Sequence, residues 1–281
     1  MTIMNHYILL LTCTDRPGIV NEITSSLLHL NANIIDADQH STDAQLGTFF
    51  IRIEFVCLNE VTDAEVYEAI RELEASLQAR IKWFKKEDPL HCSVLVSKED
   101  HCLQEILYQC RSGQLNIKVD SIISNHDQYK AVAEWYNIPF YHIPSTSKHD
   151  AEKQIINLTM NTDMLIMARY MQILSAGFLH DYKRPVVNIH HSFLPSFPGA
   201  KPYHQAFERG VKLIGATAHY ATEDLDEGPI IVQKVSPVTH RDHVDDLKRL
   251  GRQLEKQCLV EALEAISEHR VIVHQNKTIV F

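Results

Sequence analysis

The sequence predicts an α/β protein of two units, and two observations support this prediction. Apolar strand-like runs and helical runs follow one another in the order βαββαβ over residues 6–85. After residue 89 strand-like and helical runs alternate, which is typical of a mostly parallel sheet covered by helices on both faces. The polar run Lys85–Pro89 separates the two patterns, so we place one domain at residues 1–85 and a second at residues 86–281.

The first unit opens with the strand-like run YILLLTC and the turn TDRPG. A helix is predicted next, because Ile19, Ile23, Leu27 and Leu30 recur at helical spacing. Two strand-like runs follow, ANIIDADQH and GTFFIRIEFVC, and then the helical run DAEVYEAIRELEASLQAR and the short strand IKWF. This order is that of a ferredoxin-like split βαβ fold.

The second unit contains the apolar strand-like runs HCSVLVS, NIKVDSIIS, TDMLIMA and RPVVNIHH. Helical patterns such as DHCLQEILYQCR and DAEKQIINLTM lie between them. Two later strands, KLIGATAHYAT and GPIIVQKVSPV, precede a long helix that we predict from about His243 to Ser267. Sheets of this kind place their sites beyond the carboxyl ends of the strands, so the strand ends are where we expect functional side chains.

Composition excludes several classes of function. The 281 residues carry a formal net charge of -9 with a pI near 6.0, so nucleic acid is not expected as the main partner. No run approaches the roughly 20 apolar residues that span a bilayer. The opening segment lacks the basic region of a signal peptide. The 6 cysteines form no CxxC pair, which favours reduced thiols and a cytoplasmic protein.

The end of the strand-like run VVNIHH carries an amide and two imidazoles. Residues i and i+2 share a face of a strand, so Asn188 and His190 are expected on one face, and Ile189 and His191 on the other. The two histidines are therefore not expected to bind one metal together. An amide beside an imidazole can donate to a developing oxyanion and move protons near neutral pH. A satisfied polar pair without catalytic function remains the alternative.

A second candidate is the acidic stretch TEDLDEGPII, where four carboxylates precede Gly228 and Pro229. A solvated acidic turn is the structural alternative. A carboxylate held near His190 could instead fix the imidazole tautomer, stabilise the imidazolium or take a proton from water.

These two stretches, NIHHSFLPSFPG and GATAHYATEDLDEGPII, resemble the formyl-folate transferase family. The resemblance extends from Leu90 to the C-terminus and implies a Rossmann-like formyltransferase domain with a mostly parallel sheet. In that family an Asn-x-His pair and an Asp of the later acidic loop form the catalytic trio. The resemblance therefore implies catalytic roles for Asn188, His190 and Asp226.

The run LIMARYMQILS also matches the family, in which this segment lines the folate pocket largely through backbone groups. The resemblance thus implies folate contacts from Met171, Gln172, Ile173 and Leu174, and from Thr222, Glu223 and Asp224 on the other side of the pocket. His219 could brace Asp226 from behind, although a core histidine is equally compatible with the sequence. His191 could take part in water activation or pack against the following loop.

Two departures from the family pattern concern the acceptor of the formyl group. Transformylases that act on a ribonucleotide carry a glycine-rich turn after the first strand, whereas no glycine lies between Val96 and Arg111 here. Glu99 and Asp100 would also repel a phosphate there. His191 stands where the family usually has proline. With GATAHY, these features resemble the branch of formyltetrahydrofolate deformylases, which use water as the acceptor.

The βαββαβ unit supports the same branch, because those deformylases carry an ACT regulatory domain ahead of the formyl-folate domain. The resemblance implies hydrolysis of 10-formyltetrahydrofolate to formate and tetrahydrofolate, with formate supplied for purine synthesis and the one-carbon folate pools balanced. Folate is then the substrate, and no cofactor and no metal are expected.

The turn TDRPG of the first unit is a candidate effector site. Asp15 is expected to cap the following helix, Pro17 to occupy its first turn, and Gly18 to allow a close backbone approach. A well-capped helix explains this pattern without any ligand. The ACT resemblance implies instead that an amino acid, methionine or glycine, binds at Asp15, Arg16, Pro17 and Gly18, with Asn31 or Asn33 from a second subunit. We therefore expect a homodimer or a higher homo-oligomer.

Three rival functions remain at this stage. A metal-dependent amidohydrolase is suggested by the 17 histidines, but no HxH or HExxH pattern occurs and the cluster HRDH is predicted to lie exposed at a helix start. A formyltransferase with another amine acceptor would use the same trio but would be nearly inert in water alone. A non-catalytic amino-acid sensor would only bind folate, and the complete trio argues against it.

Overall fold

The computed structural model describes residues 5–43, 47–59, 61–196 and 202–281. Contacts divide the chain into two compact units. The first comprises Met1–Asp88, Glu268–Ile272 and Ile279–Phe281, and the second comprises Pro89–Ser267 and Val273–Thr278. The sequence did not predict that two segments near the C-terminus belong to the first unit. Local sequence patterns do not show where a terminal segment packs. The boundary between residues 85 and 86 stays a proposal.

The first unit has the predicted βαββαβ order. Its elements are β1 (His6–Thr14), α1 (Ile19–His29), β2 (Ala32–Ser41), β3 (Thr48–Cys57), α2 (Asp63–Leu77) and β4 (Arg80–Lys85). The strands form an antiparallel sheet in the order β2-β3-β1-β4.

Each helix of this unit buries one apolar stripe. In α1 the buried side chains are Ile19, Ile23 and Leu27, spaced four apart as on one helix face. In α2 they are Val66, Ile70, Leu73 and Leu77. Both stripes join the core formed with the inward face of the sheet. Each such side chain contributes about 1.5–3 kcal/mol when fully buried, so these stripes fix the helices on the sheet.

The second unit is built on a longer strand and helix series. Its elements are β5 (Leu90–Val96), α3 (His101–Arg111), β6 (Ile117–Ser124), α4 (Lys130–Trp135), β7 (Phe140–His142), α5 (Lys148–Leu158), β8 (Met164–Met167), α6 (Ala176–Tyr182), β9 (Val186–His190), α7 (Pro202–Arg209), β10 (Leu213–Tyr220), β11 (Ile230–Pro237) and α8 (Val244–Ser267). A terminal hairpin follows, β12 (Val271–His274) and β13 (Lys277–Val280), which the sequence patterns did not indicate.

The main sheet of this unit runs in the order β11-β10-β9-β8-β5-β6-β7. Strands β5 to β9 pair in parallel, whereas β10 is antiparallel to both of its neighbours. The predicted α/β fold with a mostly parallel sheet is therefore confirmed. The chain extends the sheet to one side through β6 and β7 and then to the other through β8 and β9, so a switch point lies between β5 and β8.

Long helix α8 covers one edge of the sheet, packing on β10 and β11. It begins at Val244, one residue after the predicted start, and the preceding His240 and His243 are exposed as expected. Within the described ranges, no helix combines the length and the apolar character of a membrane span.

Candidate functional site

The site is built where β9 ends beside β10. In the antiparallel register of these strands, Asn188 lies opposite His219 and His190 lies opposite Thr217. Asn188 and His190 are two apart on one strand and so share a face, as the sequence predicts. Both line a cavity of about 310 Å³.

The acidic loop between β10 and β11 is folded tightly against β10. Tyr220 N donates to Pro229 O at 3.0 Å. Gly228 packs so closely that an added Cβ would lie 1.8 Å from Tyr220 O, so only glycine fits there. Asp226 has a φ of 60, in the left-handed region that non-glycine residues seldom adopt. This backbone conformation brings the Asp226 carboxylate to the end of β9.

Asp226 and His190 form the central pair of the site. His190 Nδ1 lies 3.3 Å from Asp226 Oδ1, and the two side chains are only 7% and 10% exposed. Burial opposes ionisation of Asp226, but the hydrogen bond from His190 and the charges of the neighbouring histidines outweigh it, so the pKa of Asp226 lies below its ordinary value. With Nδ1 turned to the carboxylate, Nε2 of His190 is the ring atom left for a ligand. It is buried and has no hydrogen-bond partner among the described residues.

His219 lies closer to Asn188 than to Asp226. Its Nε2 is 3.2 Å from Asn188 Nδ2 and 3.7 Å from Asp226 Oδ1. Its Nδ1 is 3.0 Å from Tyr220 O, a group that can only accept. Burial lowers the pKa of His219, which favours the neutral ring. In the neutral tautomer that carries its proton on Nδ1, Nε2 accepts a hydrogen bond from Asn188 Nδ2. His219 thereby orients the Asn188 amide.

The cavity contains most of the side chains that were expected to contact folate. One wall is formed by Met171, Gln172, Ile173 and Leu174, and the other includes Thr222 and Glu223. Asp224 does not line the described cavity; its carbonyl accepts a hydrogen bond from Thr222 Oγ1 at 3.0 Å. Its expected folate contact therefore has no support from the cavity geometry.

The Met171–Leu174 segment connects β8 to α6. Met171 and Ile173 are 55% and 61% exposed, large fractions for apolar side chains. Met171 N donates to Ser97 Oγ at 3.0 Å, which ties the start of the segment to the end of β5. The segment thus offers apolar surface and main-chain groups to the cavity, as a planar heterocycle with polar edges requires.

His191 also lines the cavity, contrary to the prediction that it faces away from His190. Its ring centroid is 5.2 Å from that of His190. The alternation of faces fails because β9 ends at His190, so the backbone of the next residue is no longer extended. Burial and the positive charge of Arg169 lower the pKa of His191 to about 4, so this ring is neutral at pH 7.

Arg169 is a residue of the cavity wall that the sequence interpretation did not single out. It follows β8 in the left-handed region with a φ of 63. Its Nε lies 3.3 Å from Glu255 Oε2. Glu255 also accepts a hydrogen bond from Tyr203 Oη at 2.6 Å, and its Oε2 lies 2.8 Å from His101 Nε2. The only available signal was an arginine inside the apolar run LIMARYM. Its partner is distant in sequence and could not be inferred.

Glu255 also belongs to a group that could hold a metal ion. Together with His101 and Cys102 it offers ligand atoms within 4.8 Å of one another, and no other such group is found among the described residues. Burial raises the pKa of the Cys102 thiol, which disfavours the thiolate that a metal would need. Arg169 pairs with Glu255, and the side chains of His101 and Tyr203 lie within hydrogen-bond distance of it, so this group fits a structural network better than a metal site.

The predicted effector turn of the first unit differs in detail from expectation. Asp15 does not cap α1, because Ser41 Oγ donates to its carboxylate. Gly18, with a φ of 94, is the N-cap residue and provides no side-chain hydrogen bond to the helix. Pro17 precedes the helix rather than occupying its first turn. The first N–H groups of α1 therefore lack a side-chain cap among the described residues.

The remaining candidates for effector binding lie near both ends of α1. Arg16 pairs with Glu22, its Nη2 lying 2.8 Å from Glu22 Oε1. Asn31 follows the helix with a φ of 50 and Asn33 is exposed on β2, an edge strand of the sheet. Their positions at an edge leave them accessible to another chain.

Comparisons with known proteins agree with this architecture. The formyl transferase family model matches residues 90–263, and the ACT domain model matches residues 7–75. The formyltetrahydrofolate deformylase of Bacillus subtilis (strain 168) is 42% identical over 288 residues, covering 97% of this chain and 93% of its own. That of Synechocystis sp. (strain ATCC 27184 / PCC 6803 / Kazusa) is 44% identical, covering 97% of each.

A solved structure shows the same relationship in three dimensions. The crystal structure of a formyltetrahydrofolate deformylase from Pseudomonas syringae pv. tomato superposes with a TM-score of 0.94 at 40% identity. The match covers 100% of this chain and 96% of that one. Both domains are thus shared in sequence and in structure, and the chain belongs to the formyltetrahydrofolate deformylase family.

Proposed function

We propose that Asn188, His190 and Asp226 carry out the hydrolysis of 10-formyltetrahydrofolate to formate and tetrahydrofolate. The chain belongs to the family of this activity, and the single observation that supports the residue roles is the His190–Asp226 pair. Its Nδ1 to Oδ1 distance is 3.3 Å, and Nε2 of His190 is left for a ligand in the cavity. A base oriented by a carboxylate in this way is suited to activating water.

In the proposed reaction the folate occupies the cavity between the Met171–Leu174 segment and the Thr222–Glu223 wall. His190 Nε2 takes a proton from water as the hydroxyl oxygen bonds to the formyl carbon. The imidazolium, stabilised by Asp226, and the Asn188 amide then face the oxyanion together. When the carbon–nitrogen bond breaks, the proton on His190 passes to N10. Tetrahydrofolate and formic acid result, and the acid passes its proton to water to give formate.

The direct test is release of formate and tetrahydrofolate from 10-formyltetrahydrofolate without any amine acceptor. The expected result is steady hydrolysis that EDTA does not change, since every proposed step uses protein side chains and water. Hydrolysis that stops in EDTA and returns with added metal would support the metal-dependent rival. Transfer to an added amine, with no reaction in water alone, would support the formyltransferase rival.

Binding of folate without turnover, with or without an amino acid, would support the sensor. We retain the remaining expectations as parts of this proposal: a cytoplasmic enzyme without a cofactor that provides formate for purine synthesis. Six cysteines without a disulfide among the described residues are compatible with a reducing compartment.

We also propose that the ACT unit binds methionine or glycine near Gly18. Uncapped N–H groups at the start of α1 can accept a carboxylate, and Asn31 or Asn33 of a second copy would complete the site at the β2 edge. A homodimer or higher homo-oligomer follows from this arrangement. Sedimentation with and without each amino acid tests assembly, and turnover measured at the same concentrations tests regulation. A monomeric protein whose turnover responds to neither methionine nor glycine would contradict both the proposed assembly and the proposed regulation.

A further inference from the structure

Arg169 lines the catalytic cavity and carries a buried donor that no described residue uses. Its side chain is only 12% exposed, and its Nη1 is buried without a hydrogen-bond partner among the described residues. A buried guanidinium donor of this kind costs free energy unless a ligand uses it. Arg169 also lines the cavity that contains Asn188 and His190.

Arg169 pairs with Glu255, a residue that does not line the cavity. Glu255 Oε2 lies 3.3 Å from Arg169 Nε, an ion pair without a hydrogen bond. Glu255 is in turn held by Tyr203 Oη at 2.6 Å and by His101 Nε2 at 2.8 Å. The carboxylate therefore balances the charge near Nε and leaves the Nη1 end for another acceptor.

The neighbouring groups on the cavity side do not compete for that end. His191 lines the same cavity as Arg169, and its ring is 5.2 Å from the His190 ring. It is neutral at pH 7. Asp226, the acid of the reaction centre, pairs with His190. Glu223, the other acid that lines the cavity, forms no ion pair with Arg169 among the described residues, so Arg169 is a cation of the cavity wall whose described ion pair is to Glu255 alone.

We propose that Arg169 is the binding residue for a small carboxylate, the formate product, released beside His190. The inference rests on the proposed function, because that function generates formate at this place. A guanidinium matches the two oxygens of a carboxylate, and formate is ionised at neutral pH. Binding there would draw the product away from the nitrogen it has just left and so oppose the reverse reaction.

The folate itself carries a second source of the same chemistry, the carboxylates of its glutamate. In the substrate the benzoyl ring separates N10 from the glutamate. Arg169 lines the same cavity as His190 and His191, and this position favours formate. The two sources are distinguished by comparing 10-formyltetrahydrofolate with the corresponding pteroate, which lacks glutamate.

The test uses the full chain as wild type, Arg169→Lys and Arg169→Gln, with Arg252→Gln as a matched control. Arg252 also pairs with an acid, Glu99, but at an exposed position outside the cavity. Binding of carbon-13 formate is measured by NMR titration without folate, and formate inhibition is measured during turnover. Arg169→Gln should weaken formate binding by roughly tenfold or more, which is the effect of losing one hydrogen bond to a charged group. Arg169→Lys should give a smaller loss and Arg252→Gln none.

Thermal unfolding shows whether each variant is folded. If Arg169→Gln alone unfolds because the buried Glu255 has lost its arginine, the double variant Arg169→Gln with Glu255→Gln is used instead. Formate affinity unchanged by the loss of Arg169 would overturn the inference and leave the proposed hydrolysis intact. If loss of Arg169 raised KM only for the glutamate-bearing substrate and left formate affinity unchanged, Arg169 would be assigned to binding the glutamate carboxylates. Arg169-dependent formate binding in a chain that does not hydrolyse the folate would overturn the proposed function instead.

Discussion

Asn188 Nδ2 lies 3.2 Å from His219 Nε2, and this contact determines which way the Asn188 amide faces. His219 Nδ1 faces the Tyr220 carbonyl, so this nitrogen carries the proton and Nε2 accepts. The amide nitrogen of Asn188 is therefore turned toward His219, and its second N–H can be directed at an oxyanion in the cavity. In the proposed mechanism His219 is therefore a positioning residue, because it would act through Asn188.

Replacing His219 should slow turnover more than it weakens substrate binding. In His219→Ala we expect kcat to fall roughly 10- to 100-fold with KM nearly unchanged, because the oxyanion donor loses its orientation rather than its presence. His219→Gln keeps an acceptor for the Asn188 amide and should recover part of the loss. Steady-state kinetics of both variants provide the measurement. A purely structural role would lower the amount of folded protein without this difference in kcat between alanine and glutamine.

Removing the carboxylate of Asp226 should leave a folded but very slow enzyme. We expect Asp226→Asn to lower kcat by about 10²- to 10⁴-fold, because the amide neither fixes the His190 tautomer nor stabilises the imidazolium. Glu227→Gln, a neutral replacement of the exposed neighbouring acid, is the control and should retain normal kcat. Near-normal turnover in Asp226→Asn would refute the role assigned here, provided that circular dichroism shows the same fold.

The Asn188 amide is expected to act on the transition state and not on folate binding. Asn188→Ala should cost roughly 10²- to 10³-fold in kcat, the usual effect of removing one oxyanion donor. Asn188→Asp should be no better, because a carboxylate in the same place would repel the oxyanion. Dissociation constants for tetrahydrofolate should stay within about threefold of wild type in both, since the product carries no oxyanion. Loss of product binding equal to the loss of kcat would place Asn188 in substrate binding.

Local patterns in the sequence predict the βαββαβ unit, the mostly parallel sheet and the shared face of Asn188 and His190. They fail where geometry depends on pairings distant in the chain. The Asn188–His219 contact follows from the register of β9 and β10, and the contact of Arg169 with Glu255 joins a loop to a helix. His191 was misplaced because strand alternation was extended one residue beyond the strand end. The cap of α1 was misassigned because the Asp15 carboxylate accepts a hydrogen bond from Ser41, on the next strand.

Acidification should destabilise the folded chain partly through His191. Its pKa is lowered from 6.5 to about 4 in the folded state, mainly by burial. Between these values the unfolded chain binds a proton that the folded chain does not, so the free energy of unfolding falls as pH drops through this window. This loss of stability is absent above pH 6.5 and reaches its full size, about 3 kcal/mol, below pH 4.

Denaturant unfolding of His191→Asn at pH 7 and pH 4.5 tests this expectation. The variant should lose less stability between the two pH values than wild type, because its side chain does not titrate. His149→Asn, in which an exposed histidine is replaced, should behave like wild type. Identical pH dependence in wild type and His191→Asn would show that His191 titrates normally in the folded state.

Glycine at position 251, inside α8, should be more stabilising than alanine despite its poor helix propensity. An added Cβ would lie 2.0 Å from Tyr203 Oη and 2.3 Å from Tyr203 Cζ, and this ring is held by its hydrogen bond to Glu255. The clash should outweigh the gain of about 1 kcal/mol that alanine brings to a helix interior. Gly251→Ala should therefore lower the Tm. Gly177→Ala in α6, where the nearest atom is Ser175 Oγ at 3.8 Å, should leave the Tm unchanged or raise it. The double variant Gly251→Ala with Tyr203→Leu should lose less stability than the sum of the losses in the two single variants, because both substitutions act on one contact. Losses that simply add would refute the clash.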